Sequence, residues 1–144
     1  MIRFPLPGMT AGPLGALALM AAAAFVPPAF AQAVPEAALA AEMQQDWSTA
    51  AAVYREKLEA DPDRTDLWRR LADVLASDGQ PVAAAEALDQ AVETNPDDAD
   101  LRLTASAAWA EADQPKRALA HCQAAAEIRP NDVSVLRTCA QQAN

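Results

Sequence analysis

From residue 34 onward, apolar and polar positions return at a step of thirty-four residues. Ala50, Ala84 and Ala118 form a column of small residues, Tyr54, Leu88 and Cys122 a column of core-sized ones, and Leu67, Leu101 and Val135 a third. The helix breakers keep the same step, with Pro62, Pro96 and Pro130 in one column and Trp47, Pro81 and Pro115 in another. A period of this length marks one supersecondary unit stacked on copies of itself. Proline stops a helix because it lacks an N–H and clashes with the preceding turn. Asp61-Pro62-Asp63, Asn95-Pro96-Asp97 and Pro130-Asn131-Asp132 therefore read as a stop followed by a cap. Their Asp and Asn oxygens are expected to accept from the orphan N–H groups of the next first turn. Pro81 and Pro115 suit the first helical position, where the lost N–H was unpaired anyway. Asp46 is a cap before Trp47, and Gly79 allows a tight turn between paired helices. The pattern predicts helices over 36–45, 48–60, 65–78, 82–94, 99–112, 116–128 and 132–142, with the alanine column letting the helices of a pair approach closely.

The columns carry a resemblance to the tetratricopeptide repeat (TPR) family. In the unit from Thr65 to Asp98, residues Trp68, Leu71, Ala72, Leu75, Ala84, Leu88, Ala91 and Pro96 stand where that family has its Trp-Leu-Gly-Tyr, Ala-Phe-Ala and Pro signature. Ala72 and Leu75 replace the usual Gly and Tyr, Arg102 replaces the signature Trp one period later with Trp109 in the Tyr place, and Lys57 sits where a small Ala is usual. Pro35 is expected to disturb the start of the first helix. The resemblance implies an all-α fold, a TPR-like right-handed superhelix of three helix pairs plus a C-terminal capping helix. Its units would be about 34–64, 65–98 and 99–132, with the cap over 133–144. The seventh helix has no partner within the sequence, and Ser134, Arg137, Gln141 and Gln142 would give it a polar outer face, as the end of a stacked array needs.

The 144 residues hold 11 basic and 20 acidic side chains, a net charge of −9. Such a surface repels phosphate backbones, whose binding relies on Lys and Arg, and attracts a basic protein or cationic segment over long range. Nucleic acid is not an expected partner. Aromatics are 5% of the chain while alanine abounds, a composition that suits close-packed helices over sheets.

Before the repeats, Arg3 is followed by the uncharged run Leu14 to Val26, then Pro27-Pro28 and Ala29-Phe30-Ala31. This is the charged, apolar and cleavage-site layout of a secretory signal peptide over residues 1–31, with the cut after Ala31 or two residues later. The alternative, a membrane anchor, meets an apolar run shorter than the ~20 residues a spanning helix needs. The expected location is the bacterial periplasm, or secretion, with no stable membrane insertion after cleavage.

Candidate chemistry is sparse. His121 is the sole histidine, Glu127 is too far round its helix to assist it, and it reads as a solvent-facing residue. Ser48, Ser77, Ser106 and Ser134 lack a nucleophile-elbow setting, and Asn95-Pro96-Asp97-Asp98 lacks the glycine and spacing of a calcium loop. No metal, cofactor or catalytic residue is expected, and the chain is not read as an enzyme. Cys122 and Cys139 both fall in inward-packing columns on adjacent helices. They form either a disulfide, which an oxidising compartment permits, or two buried thiols acting as small apolar residues.

The resemblance implies a concave groove lined by the first helices of the units. Leu39 and Met43 would come from the first unit, Arg69, Arg70 and Asp73 from the second, Leu103 and Ala107 from the third, and Arg137 from the cap. Met43, Leu103 and Ala107 would accept apolar anchors, and Arg69 and Arg137 would fix an acidic group by paired hydrogen bonds. In the family's mode of gripping a terminal carboxylate, the matching places are Pro35, Leu39, Arg70, Asp100 and Thr104, of which only Arg70 serves, so that ligand is not expected. The leading expectation is an adaptor or assembly factor for a protein or peptide partner. A fixed subunit of a larger complex, a self-associating homo-oligomer, and an accessory enzyme subunit or a redox protein using Cys122 and Cys139 are the alternatives.

Overall fold

The computed structural model describes residues 33–142. The expected signal peptide and the last two residues lie outside the described residues. Seven helices follow one another, with no strand among the described residues: α1 (Glu36–Met43), α2 (Trp47–Ala60), α3 (Thr65–Ser77), α4 (Pro81–Thr94), α5 (Ala99–Glu111), α6 (Pro115–Ile128) and α7 (Val133–Gln142). Each packs on the next, and α5 also reaches α7. The architecture is the all-α TPR superhelix expected from the sequence, and among the described residues no helix is long and apolar enough to cross a membrane.

The columns explain the stack. Ala50, Ala84 and Ala118, then Tyr54, Leu88 and Cys122, then Leu67, Leu101 and Val135 are all buried. Removing a Val or Leu side chain from water is worth about 1.5–3 kcal/mol, so one apolar residue per unit at each such place yields a continuous core. Trp109 and Tyr54 are the largest fully buried side chains. Trp47, Pro81 and Pro115 each open a helix.

The turn inside each pair is the same three times. Gln45, Gly79 and Asp113 have φ of 58°, 74° and 57°. The next residue's N–H then reaches back to a buried residue one turn inside the first helix: Asp46 to Ala41 at 2.9 Å, Gln80 to Leu75 at 2.9 Å and Gln114 to Trp109 at 2.8 Å. This left-handed closure satisfies carbonyls that a helix end otherwise leaves orphaned. Only one of the three places holds the glycine that such a φ favours.

The turns between units differ more. Asp98 accepts from the N–H groups of Asp100 and Leu101, and Asp132 from that of Ser134. The matching residue before α3 is Arg64, whose side chain makes no cap bond, so the expected cap at Asp63 does not form. Arg64 instead holds the Asp66 carboxylate through Nε at 2.8 Å and Nη2 at 2.7 Å. Pro35 does not disturb α1. It stands just before that helix, and its carbonyl accepts from Ala38 and Leu39.

The outer face of α7 also departs from expectation. Ser134, Arg137 and Gln141 are exposed as expected, but Val133 and Leu136 are 66% and 47% exposed beside them. Val133 starts the helix and Leu136 lies in the Trp68 column, so the thirty-four-residue register places apolar side chains where no later helix of the described residues covers them.

Candidate functional site

The first helices of the pairs are α1, α3, α5 and α7, and a cleft opens where α3 and α5 meet α4. Ala72, Asp73 and Ala76 of α3, Pro81, Ala84 and Leu88 of α4, and Thr104, Ala107, Ala108 and Glu111 of α5 line it. The cleft measures about 170 Å³, below the ~300 Å³ at which small-molecule pockets begin, and of a size to take a side chain. Four small residues on α3 and α5 leave the space open, because an alanine projects one methyl where a leucine would fill the gap.

Two of the expected groove residues, Asp73 and Ala107, line this cleft. The others lie elsewhere. Arg70 Nη1 reaches the Glu42 carboxylate at 3.6 Å, and Glu42 also accepts the Tyr54 hydroxyl. Burial, then the hydrogen bond to Glu42, pushes the Tyr54 phenol well above its ordinary range. Arg69 and Arg137 are exposed, Leu39 is half-buried, and Met43 is 88% exposed at the end of α1. Leu103 is half-buried and packs on Ala99, Ala125 and Val135, between α5 and the last two helices. Asp100, one of the places matched to the terminal-carboxylate grip, is taken by Arg129 through two bonds of 2.9 and 2.8 Å.

Burial pushes the Asp73 carboxyl above its usual value, against the opposing pull of Arg70 and Arg69. Asp66 moves the other way, held low by the Arg64 hydrogen bonds. A second cleft, between α2, α3 and α4, is floored by Leu71 and Leu75 and edged by Arg55, Trp68, Glu86 and Gln90.

His121 is corrected as a solvent-facing residue. Its Nε2 lies 2.9 Å from Asp89 Oδ1, the atom to which Trp109 Nε1 also donates at 2.9 Å. Arg117 lies over the Trp109 ring at 4.2 Å. Sequence reasoning missed this group because its members are 20 and 32 residues apart, off the repeat step, and no local spacing links them. Cys122 and Cys139 are joined, with Cα atoms 5.4 Å apart, tying α7 to α6. Among the described residues no cluster of three or more His, Cys, Asp or Glu stands ready for a metal ion.

Stacked antiparallel helix pairs with a side-chain-sized cleft along the first helices define a helical-repeat scaffold of the protein-interaction class. The tetratricopeptide repeat family matches residues 41–107 and 75–141. The chain belongs to that family. Among proteins of curated function none matches the sequence. Of solved structures, a MamA protein shares 19% identity at a TM-score of 0.60, over 74% of this chain and 58% of that one. The Sgt2 TPR domain from Aspergillus fumigatus shares 19% at 0.57, over 74% and 72%. The Yersinia enterocolitica type III secretion chaperone SycD, in complex with a peptide of the translocator YopD, shares 12% at 0.58, over 74% and 86%. The chain spans 58%, 64% and 59% of three MamA structures that it matches.

Proposed function

We propose that this chain is an exported TPR adaptor or assembly factor of the bacterial envelope, which holds a protein partner by a segment laid in the cleft between α3, α4 and α5. It acts by positioning and has no turnover of its own. The observation that carries the reading is the cleft itself. It lies on the first-helix side, is sized for side chains, and is lined by alanines with Asp73 and Glu111 at its edge. The neighbour SycD holds a peptide, and so does the first TPR domain of Spaghetti (RPAP3), bound to an HSP90 peptide. Support for export comes from the layout of residues 1–31, and the Cys122–Cys139 bond is of the kind that persists in oxidising compartments.

The test is a pull-down from periplasmic extract with the wild type and an Ala107→Arg variant. Ala107 is exposed at the cleft, so the long side chain fills it without touching the core. A protein captured by the wild type and lost with the variant supports the reading; capture by both moves the site off the cleft. Mass measurement of the exported chain checks export, with a start at Gln32 or Val34 expected.

A second reading, self-association through the α7 end, is favoured by the exposed Val133 and Leu136. Sedimentation at rising concentration decides it: a monomer throughout removes it.

A further inference from the structure

We infer that the cleft selects a partner segment that inserts a lysine or arginine side chain, held between the carboxylates of Asp73 and Glu111. The inference rests on the cleft reading above and adds the chemistry of the occupant. Asp73 and Glu111 are the charged residues lining the cleft, and they enter from different helices, α3 and α5. The rest of the lining is alanine, proline, Leu88 and Thr104. A long aliphatic stem fits along such a wall while its charged end meets the carboxylates, as long cationic side chains do on apolar surfaces.

Several acidic side chains of the stack are already engaged by partners of their own. Glu42 is met by Arg70 and Tyr54, Asp100 by Arg129, Asp66 by Arg64, and Asp89 by His121 and Trp109. Among the described residues no side-chain hydrogen bond or ion pair engages the carboxylate of Asp73 or Glu111. The Ser77 hydroxyl donates to the Asp73 backbone carbonyl, and the Thr104 hydroxyl to that of Asp100, so neither is directed at the carboxylates. The cations that act on Asp73, Arg70 and Arg69, lie one turn earlier on α3, and Arg70 also meets Glu42. Partial burial already disfavours the charged form of Asp73, and an incoming cation meets it with a charge-assisted hydrogen bond stronger than a neutral one. An acidic segment meets repulsion in the same place. A metal ion is a poor occupant, since the cleft supplies two carboxylates and no third acidic, His or Cys ligand.

The experiment uses fluorescence anisotropy with two labelled alanine-based peptides, one carrying spaced lysines and one carrying glutamates at the same places. The lysine peptide is expected to bind and the glutamate peptide not to. Asp73→Asn with Glu111→Gln is expected to weaken the lysine peptide about fivefold or more. A control of equal charge change, Glu59→Gln with Glu93→Gln, removes exposed carboxylates of α2 and α4 that line no part of the cleft, and is expected to leave binding within twofold. Equal loss in both double variants reduces the effect to net charge and overturns the inference, as does equal binding of the two peptides or no binding of the lysine peptide. A natural partner lost with Ala107→Arg but kept by Asp73→Asn with Glu111→Gln overturns the cation while leaving the cleft reading intact.

Discussion

The three left-handed turns inside the helix pairs make a backbone prediction that side-chain packing does not complicate. At Gly79 the φ is 74°, and a Cβ built there meets nothing within 4 Å. Gly79→Ala therefore reports the backbone term alone. A residue with a Cβ in this region costs about 1–2 kcal/mol, while replacing glycine removes unfolded-state freedom worth about 0.4–1 kcal/mol. The net is a loss of about 1 kcal/mol. At Gln45 the reasoning reverses: a long side chain already sits at φ 58°, and Gln45→Gly gains about 0.5–1 kcal/mol by the same two quantities. Asp113→Gly gains less, because aspartate tolerates the left-handed region better than glutamine does. Urea unfolding followed by far-UV circular dichroism measures all three. In thermal unfolding, 1 kcal/mol corresponds to a shift of roughly 4 °C or more for a domain of about this size. A neutral Gly79→Ala, or a Gln45→Gly that destabilises, refutes the claim that the three turns share one strained geometry.

Reduction of the Cys122–Cys139 bond, which spans 17 residues, releases a loop whose closure is worth about 3 kcal/mol in the chain-entropy model. Unfolding with and without reductant should differ by that order, with exchange protection lost first in α7. Asp98→Ala removes the side chain that accepts from two N–H groups of α5 and should cost about 1 kcal/mol in the same unfolding assay. Asp73 carries the opposite sign to a cap: its folded carboxyl is raised by burial, so its charged form opposes folding at neutral pH. That penalty is absent below the unfolded value of about 3.9 and appears as pH rises through the folded value. Asp73→Asn is therefore expected to raise the urea midpoint slightly at pH near 7, with variant and parent converging as pH falls below about 4; a variant that is less stable at neutral pH refutes this.

The fold was legible in the sequence because a repeat forces the same backbone and burial at each period. Leu67, Leu101 and Val135 report one place in the stack three times over, and three agreeing residues outweigh any single helix propensity. The polar partnerships were not legible, for the converse reason. Arg129 with Asp100, Glu42 with Arg70 and His121 with Asp89 join residues 29, 28 and 32 apart, close to the period but never on it. Glu42–Arg70 and His121–Asp89 join neighbouring units, while Arg129–Asp100 closes within the third unit, all at places where the columns hold unrelated residues. The register assigns such a residue to a face, and the partner depends on which side chain the next unit offers. Leu103 is a case in point: its helix face was legible, but its packing on Ala125 and Val135 was not.

The departure at Arg102 shows what a column can preserve when its residue type changes. Trp68 Nε1 donates to the Pro62 carbonyl at 2.8 Å, and Arg102 Nε donates to the Pro96 carbonyl at 2.9 Å. Tryptophan and arginine share a planar N–H at a similar reach, and either ties the start of a first helix to the turn before it. One period on stands Leu136, which has no N–H in its side chain and cannot donate to the Pro130 carbonyl. The entry to α7 thus loses the tether that α3 and α5 possess, and Leu136 stays 47% exposed. Its other supports are the Asp132 cap, the buried Val135 and the bond from Cys139 to Cys122. The disulfide holds the helix whose entry lacks the tether and whose Val133 and Leu136 stay exposed. It ties α7 to α6, against which Val135 and Leu103 are packed, so its reduction exposes the apolar end of the stack before the Asp73 cleft is disturbed.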